Sequence, residues 1–209
     1  MYYKYPRTYH CPWSPGGTRD DRILESMDHF VGKKVVVTEK MDGENTTMYK
    51  DHIHARSTSS TNHPSRNWVK ALQGRLSHHI PEGWRICGEN LFARHSIAYE
   101  RLNSYFLAFS IWNEENICLD WGSTVEWCQL LEIEHVPVLY VGLYDEEAIR
   151  ASWSPQNGEE NSEGYVIRLY DSFAYDDFRE SVAKYVRANH VTTDERWERN
   201  WTPNSLKES

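Results

Sequence analysis

The chain contains no run of apolar residues approaching the roughly 20 needed to span a bilayer. Its first ten residues, MYYKYPRTYH, hold no apolar stretch of the kind a secretory leader carries. No membrane association is expected, and a cytoplasmic location is. Cysteine is scarce, and Cys11, Cys87, Cys118 and Cys128 form no C-x-x-C pair. Neither a zinc site nor a disulfide framework is suggested, and a reducing compartment fits. Internal repeats and low-complexity tracts are absent, which excludes a repeat array. Net positive charge is lacking too. A formal charge of −8 argues against a nonspecific nucleic-acid binder. The deficit is uneven, however. Residues 1–105 carry 15 Lys and Arg against 11 Asp and Glu, whereas residues 106–209 carry 8 against 20. A phosphate-binding surface is therefore expected mainly from the first half, with a solvated acidic face on the second.

What is present suits a soluble globular protein. At 209 residues the chain can bury one sizeable core, so 1–209 is expected to be a single domain. It is 39% hydrophobic and rich in aromatics, with nine Trp and thirteen Tyr. Residues 1–22 read as an irregular lead-in broken by Pro6, Pro12, Pro15 and Gly16-Gly17. The β-branched run Val35-Val36-Val37 predicts a strand. Residues 46–50 and 53–56 predict a hairpin turning at Asp51-His52. Trp68, Leu72 and Leu76 recur every fourth residue and predict a helix over 65–78. Strands are expected at 85–90, 105–113, 136–143 and 163–170. A helix is expected to open at the capping box Ser123-x-x-Glu126, a short one at 145–153, and a last one at 192–203, opened by Thr192-x-x-Glu195 and bearing Trp197 and Trp201. Residues 154–162 read as a polar loop. Hairpins outnumber βαβ units, which favours an α+β fold with mostly antiparallel sheets flanked by helices.

The chemistry gathers around Thr38-Glu39-Lys40-Met41-Asp42-Gly43-Glu44-Asn45. This octapeptide sets a lysine at the mouth of an apolar strand beside a glycine turn, with acid and amide groups on both sides. Such a lysine is placed to attack the α-phosphate of a nucleotide. It must first lose its proton. A free lysine, with a pKa of about 10.4, is neutral at pH 7 in only roughly one molecule in several thousand. Burial or neighbouring cations are expected to lower that value. Taken alone, the octapeptide fits a surface lysine ahead of a hairpin turn equally well.

Later segments add to it. His54-Ala55-Arg56-Ser57, Cys87-Gly88-Glu89-Asn90-Leu91, the aromatic run from Tyr105 to Trp112, Glu163-Gly164-Tyr165-Val166-Ile167-Arg168 and Ala183-Lys184-Tyr185-Val186-Arg187 follow in order. Together with Lys40-Met41-Asp42-Gly43 they resemble the motifs of the covalent nucleotidyltransferase superfamily of ATP-dependent ligases and capping enzymes. Within it, the chain looks most like the RNA ligase branch that includes RNA ligase 2, over about residues 35–187. The resemblance implies a nucleotidyltransferase (adenylation) domain with its nucleotide pocket between the sheets. It implies ATP as cofactor, forming AMP covalently bound to Lys40, with Mg2+ or Mn2+. It also implies a role for each matching residue. Lys40 forms the phosphoramide, and Glu39 and the backbone of Met41 read the adenine edge. Gly43 lets the chain turn beneath the phosphate, and Asn45 lies near the α-phosphate. Arg56 and Glu89 hold the ribose, and Phe109 stacks on adenine. Glu163 holds the metal, with Glu89 assisting through water, and Lys184 neutralises the α-phosphate. Phe106 or Tyr105 remain alternatives as the stacking ring. Many relatives carry two lysines one residue apart in the last motif. Here Lys184 and Arg187 stand three apart and would face opposite sides of a strand, so Arg187 contacts either the departing pyrophosphate or solvent.

The implied substrate is RNA with a 5′-phosphate end and a 3′-hydroxyl end, with Arg66, Arg94 and His95 as candidate RNA contacts. Only 22 residues follow Arg187, which leaves no expected room for an oligonucleotide-binding barrel and suggests a partner domain or chain for engaging RNA. Alternative readings are a GTP-dependent capping-type enzyme, a DNA ligase, and a nucleotide- or RNA-binding module that has lost catalysis.

Overall fold

The structure is a computed structural model that describes residues 1–15, 21–59, 62–153, 161–188, 190 and 201–208. Gly16-Gly17, most of the expected 154–162 loop, and residues 192–200 of the expected last helix, Trp197 among them, lie outside the described residues. Two β-sheets face each other. The first has the order β1 (Tyr9–His10), β12 (Val182–Val186), β10 (Gly164–Leu169), β2 (Lys34–Lys40) and β9 (Val138–Leu143). The second runs β11 (Phe173–Ala174), β7 (Ile117–Cys118), β6 (Phe106–Trp112), β5 (Arg85–Asn90), β3 (Glu44–Tyr49) and β4 (Ile53–Ala55), with β8 (Glu134–His135) beside β6. Pairing is antiparallel except for β1 with β12 and β6 with β8. The helices α1 (Asn67–Leu76), α2 (Trp121–Leu130), α3 (Glu146–Ser152) and α4 (Phe178–Ser181) flank the sheets, as the α+β reading expects. No described helix is long and apolar enough to cross a membrane.

The Val35-Val36-Val37 run is continuous because β2 is covered on both faces. Val35 and Val37 join an outer core with Phe30, Ile149 and Ile167. Val36 joins a core with Leu91, Leu107 and Trp121. Lys40 lies four residues beyond Val36 and so shares its inward face. The second sheet buries its other face against α1 and α2, through Val69, Leu72, Leu76, Ile86, Phe106 and Cys128.

Several expected elements shift. The 65–78 helix is a single turn at Pro64–Arg66 followed by α1. The capping residue of α2 is Asp120, not Ser123. The Asp120 carboxylate accepts the Ser123 N–H at 2.9 Å, and Ser123 is already inside the helix. Asp and Ser cap about equally well, so the spacing alone could not choose between them. The 136–143 strand starts at Val138; Pro137 has no N–H to donate, though its carbonyl still accepts the Glu39 N–H at 2.9 Å. The lead-in is not wholly irregular. Tyr9 and His10 pair in parallel with Ala183 and Lys184. Residues 201–203 are not helical, and the 201–208 tail instead bridges back through Pro203 to Ala93 and Leu206 to Leu102.

Close approach requires glycine at positions 164 and 43, among others. Gly164 has φ +150°, and a Cβ there would lie 2.0 Å from the Tyr185 carbonyl oxygen. Gly43 brings the β2–β3 turn against the end of β5, where a Cβ would lie 2.6 Å from the Asn90 carbonyl oxygen. Close backbone contact with the next strand, rather than a left-handed turn, is what demands glycine at 43. Gly164→Ala is expected to destabilise the fold by about 3 kcal/mol or more, through forced backbone strain and lost β10–β12 pairing. Chemical denaturation measures it, and a loss under about 1 kcal/mol would contradict this reading of the position.

Candidate active site

A cavity of about 310 Å3 opens between the two sheets, within the range of small-ligand sites. The first sheet lines it with Glu39 and Lys40 from β2, Val166 and Arg168 from β10, and Lys184 from β12. From the second come Asn45 on β3, Glu89 on β5, and Phe109 and Ser110 on β6, with Arg56 just past β4. Met41 and Gly43 line it from the β2–β3 turn. Nine of the residues singled out from the sequence thus converge: Glu39, Lys40, Met41, Gly43, Asn45, Arg56, Glu89, Phe109 and Lys184. The Asn45 side-chain oxygen is buried with no hydrogen-bond partner among the described residues.

Lys40 Nζ donates to Glu163 Oε2 at 2.6 Å. Burial pulls the Lys40 pKa down, but the charges of Glu163 and Glu89 outweigh it and hold it above the ordinary lysine value. The carboxylates lie close enough to offset desolvation, so the expected lowering falls to a bound cation and the basic groups around a triphosphate rather than to burial. Lys184 behaves oppositely: burial and the Lys40 charge lower its pKa, against the pull of Asp21 and Glu163. Glu89 accepts the Gly43 N–H at 3.2 Å. Burial raises its carboxyl to about 8, although Lys40 pulls the other way.

Asp42 is a structural pillar. Its Oδ2 accepts the N–H groups of Ser96 and Ile97, both at 2.8 Å, and its own N–H donates to the Tyr99 hydroxyl at 3.0 Å. Burial raises its pKa, but the hydrogen bonds from His190 and the Ile97 N–H prevail and keep it below the usual carboxylate range. The C-terminal tail braces the same loop: Asn204 Nδ2 donates to the Leu91 carbonyl and Asn204 Oδ1 accepts the Tyr99 N–H. Asp42, Glu163 and His190 each offer one ligand atom, all within 4.8 Å of one another. The two carboxylates suit Mg2+ or Mn2+, whereas the imidazole is a ligand more usual for transition metals. Glu163 was expected in a metal site, but with Glu89. Glu89 is not in this group, whereas Asp42 and His190 are.

Other expected residues fall elsewhere. Arg187 does not line the cavity. Its Nε donates to the Ser162 carbonyl at 2.9 Å and its backbone N–H to the Glu163 carbonyl at 3.0 Å, so it braces the segment that carries Glu163. Arg66 forms a two-point ion pair with Glu44, with Nε 2.7 Å from Oε2. Arg94 is exposed, and its N–H donates to the Thr202 carbonyl. His95 is half-buried near Asp42 and Glu44, and burial lowers its pKa. Of the stacking alternatives, Phe106 is fully buried in the core and Tyr105 packs on Trp68 and Phe92, away from the cavity that Phe109 lines. Trp201 packs on Phe92 and His63.

Sequence reading missed Asp42, His190 and Asp21. Tyr5, Pro6, Arg7 and Thr8 of the lead-in also line the cavity. Asp42 stood inside the quoted motif, yet its amide partners are 54 and 55 residues away. The Pro-rich composition of the lead-in concealed its pairing with β12.

A family model described as RNA ligase matches residues 33–186. Among solved structures, a variant of Naegleria gruberi RNA ligase with ATP and Mn superposes with a TM-score of 0.52 at 20% identity, covering 77% of this chain and 52% of that one. The same ligase with PPi gives 0.53 at 19% identity, covering 77% and 51%. A candidate ATP-dependent DNA ligase from Aquifex aeolicus gives 0.56 at 19% identity, covering 89% and 50%. This chain spans about half the length of these proteins, and at such identities the likeness is one of fold. No curated protein sequence matches it.

The Glu89 shift makes a testable statement about stability. Its folded pKa of about 8 stands above the ordinary 4.5. The folded state therefore holds that proton more tightly, and the contribution to stability is full below pH 4.5 and lost as pH rises through 8. Glu89→Gln keeps an acceptor for the Gly43 N–H and cannot ionise. It is expected to melt with the wild type near pH 4.5 and above it at pH 9, by about 2–4 °C per kcal/mol released. Equal melting differences at both pH values would contradict the assignment.

Proposed function

The chain belongs to the RNA ligase family, and from that premise we propose that it is an ATP-dependent RNA ligase domain working through a lysyl–AMP intermediate. The observation that carries the proposal is the convergence of Lys40, Lys184, Glu89, Arg56 and Phe109 on one cavity, with Glu163 in contact with the Lys40 ammonium.

The cavity has the parts that adenylyl transfer needs. Phe109 offers a flat apolar face and Val166 a second apolar wall, suited to a purine base. Arg56 and Glu89 supply a donor and an acceptor for the ribose hydroxyls. The Lys184 ammonium neutralises charge that develops on the α-phosphate as pyrophosphate departs. Asp42, Glu163 and His190 would hold a divalent cation. Bound there, the cation supplies positive charge that favours a neutral Lys40 and steadies the phosphate. With Glu163 drawn away from Lys40, the charge that now keeps the ammonium protonated is withdrawn. The Lys40 ammonium gives its proton to solvent, its lone pair attacks the α-phosphorus, an N–P bond forms, and the bond to pyrophosphate breaks. In the second transfer a 5′-phosphate oxygen of RNA attacks the AMP phosphorus, the N–P bond breaks and Lys40 leaves as the amine, giving an RNA end activated by a pyrophosphate linkage. In the third, the 3′-hydroxyl of another end attacks the RNA 5′-phosphorus, its proton passes to solvent, and AMP leaves. Positioning and charge stabilisation carry most of the catalysis.

Incubation with α-labelled ATP, followed by denaturing electrophoresis, tests the first step. Wild type is expected to retain label from ATP and not from GTP. Lys40→Ala is expected to retain none, and Lys184→Ala to label about 100- to 1,000-fold more slowly. Label from GTP alone would point to a capping-type enzyme. A DNA ligase is the second reading, supported by the fold likeness to the Aquifex aeolicus protein. Nicked duplexes with RNA or DNA on the 3′-hydroxyl side separate the two: sealing is expected with RNA and at least tenfold slower with DNA.

A further inference from the structure

The N-terminal lead-in brings a carboxylate into the cavity beside Lys184. Asp21 Oδ1 lies 3.5 Å from Lys184 Nζ, with both side chains mostly shielded from solvent, at 28% and 19% exposure. Both line the cavity. The placement is built rather than incidental. His10 is the strand partner of Lys184, and the Cys11 N–H donates to the Lys184 carbonyl at 2.7 Å. The His10 N–H donates to the Arg22 carbonyl at 2.7 Å and the Leu24 N–H to the His10 carbonyl at 2.9 Å. These bonds anchor the residues that follow Asp21 against His10, the residue opposite Lys184. Ser14 Oγ ties the strap down further, 2.8 Å from His10 Nδ1 and accepting the Val186 N–H at 2.9 Å. The buried His10 Nε2 lies 3.4 Å from the same Asp21 oxygen.

We propose that Asp21 is a displaceable counter-ion of Lys184, held in place by the lead-in until nucleotide phosphate takes over the ammonium. The inference rests on the reading of Lys184 as a phosphate-binding group. Each cavity lysine has its own carboxylate, Glu163 for Lys40 and Asp21 for Lys184. The Asp21 contact is long for a charged hydrogen bond, which is ordinarily about 2.7–2.9 Å. A phosphate at closer range outcompetes it, and His10 gives the released carboxylate a partner already within reach. Asp21 is thus a positioning residue that acts through Lys184. It sets a threshold that only a strongly anionic ligand crosses.

The test is the affinity for α,β-methylene-ATP, which cannot transfer AMP, by titration calorimetry. Asp21→Asn is expected to tighten binding about threefold to tenfold, while Asp21→Glu stays within about twofold of wild type. In a Lys184→Ala background the gain from Asp21→Asn is expected to shrink to within about twofold. At saturating ATP, the single-turnover labelling rate of Asp21→Asn is expected to stay within about threefold of wild type, so the change falls on KM. Unchanged or weaker binding by Asp21→Asn, or an equal gain without Lys184, overturns the inference. Asp21→Ser removes the same charge and is read the same way should the Asn variant not fold. Wild type that binds the analogue and takes label from ATP, with no gain in the variants, sinks this inference alone. Wild type that does neither removes the nucleotide reading and this inference with it.

Discussion

The site is organised by one contact, the 2.6 Å bond between the Lys40 ammonium and the Glu163 carboxylate inside a gap between two sheets. Burying either charge alone would be costly. Pairing them lets a lysine sit at the end of an apolar strand without unfolding its surroundings. The same pairing keeps that amine protonated. On the proposed mechanism the resting cavity is unreactive, and whatever draws Glu163 away from Lys40 turns it on. Glu89 adds to the effect: as a carboxylate it reinforces the Lys40 charge, yet its own burial favours the neutral acid.

The scaffold that makes this pairing possible is simple. β2 and β10 lie side by side in antiparallel register, with Gly164 opposite Lys40. Glu163 precedes Gly164, so the strand register alone brings lysine and carboxylate together across 123 residues of sequence. Gly164 has no side chain because the Tyr185 carbonyl occupies the space. Across the gap, β3 and β5 pair Asn45 with Glu89 in the same way. Two hydrogen-bonded ladders thus carry four of the polar groups, and the apolar residues between the sheets fix their separation. The lead-in completes the wall, adding Tyr5 edge-on to Phe109 at 5.2 Å and Asp21 beside Lys184.

Much of this was legible in the sequence. Strand and helix periodicities located the hairpin of β3 and β4, the strand β5, and helix α1, because each buries one face or both. Ordered motifs located the residues that converge on the cavity. What could not be read depended on distant partners. The Asp42 carboxylate is defined by the amides of Ser96 and Ile97. Arg66 was expected near phosphate because it stands at a predicted helix N-terminus, and Arg187 was expected at the departing pyrophosphate or in solvent. Each instead has a nearby local acceptor, Glu44 for one and the Ser162 carbonyl for the other. The raised Lys40 pKa was not foreseen for a related reason. Burial was foreseeable from an apolar strand, and Glu89 and Glu163 were expected in the same pocket, but the direct 2.6 Å contact of Glu163 with the amine was not.

The central claim is that the Lys40 amine, once neutral, becomes bonded to the phosphorus of AMP. Intact mass spectrometry of purified protein, incubated with ATP and a divalent cation and then with pyrophosphate, tests it most directly. The account predicts a mass gain of one adenylyl group, mapped to Lys40 and erased by pyrophosphate. A gain that pyrophosphate cannot remove, one that maps to another residue, or no gain at all would contradict it.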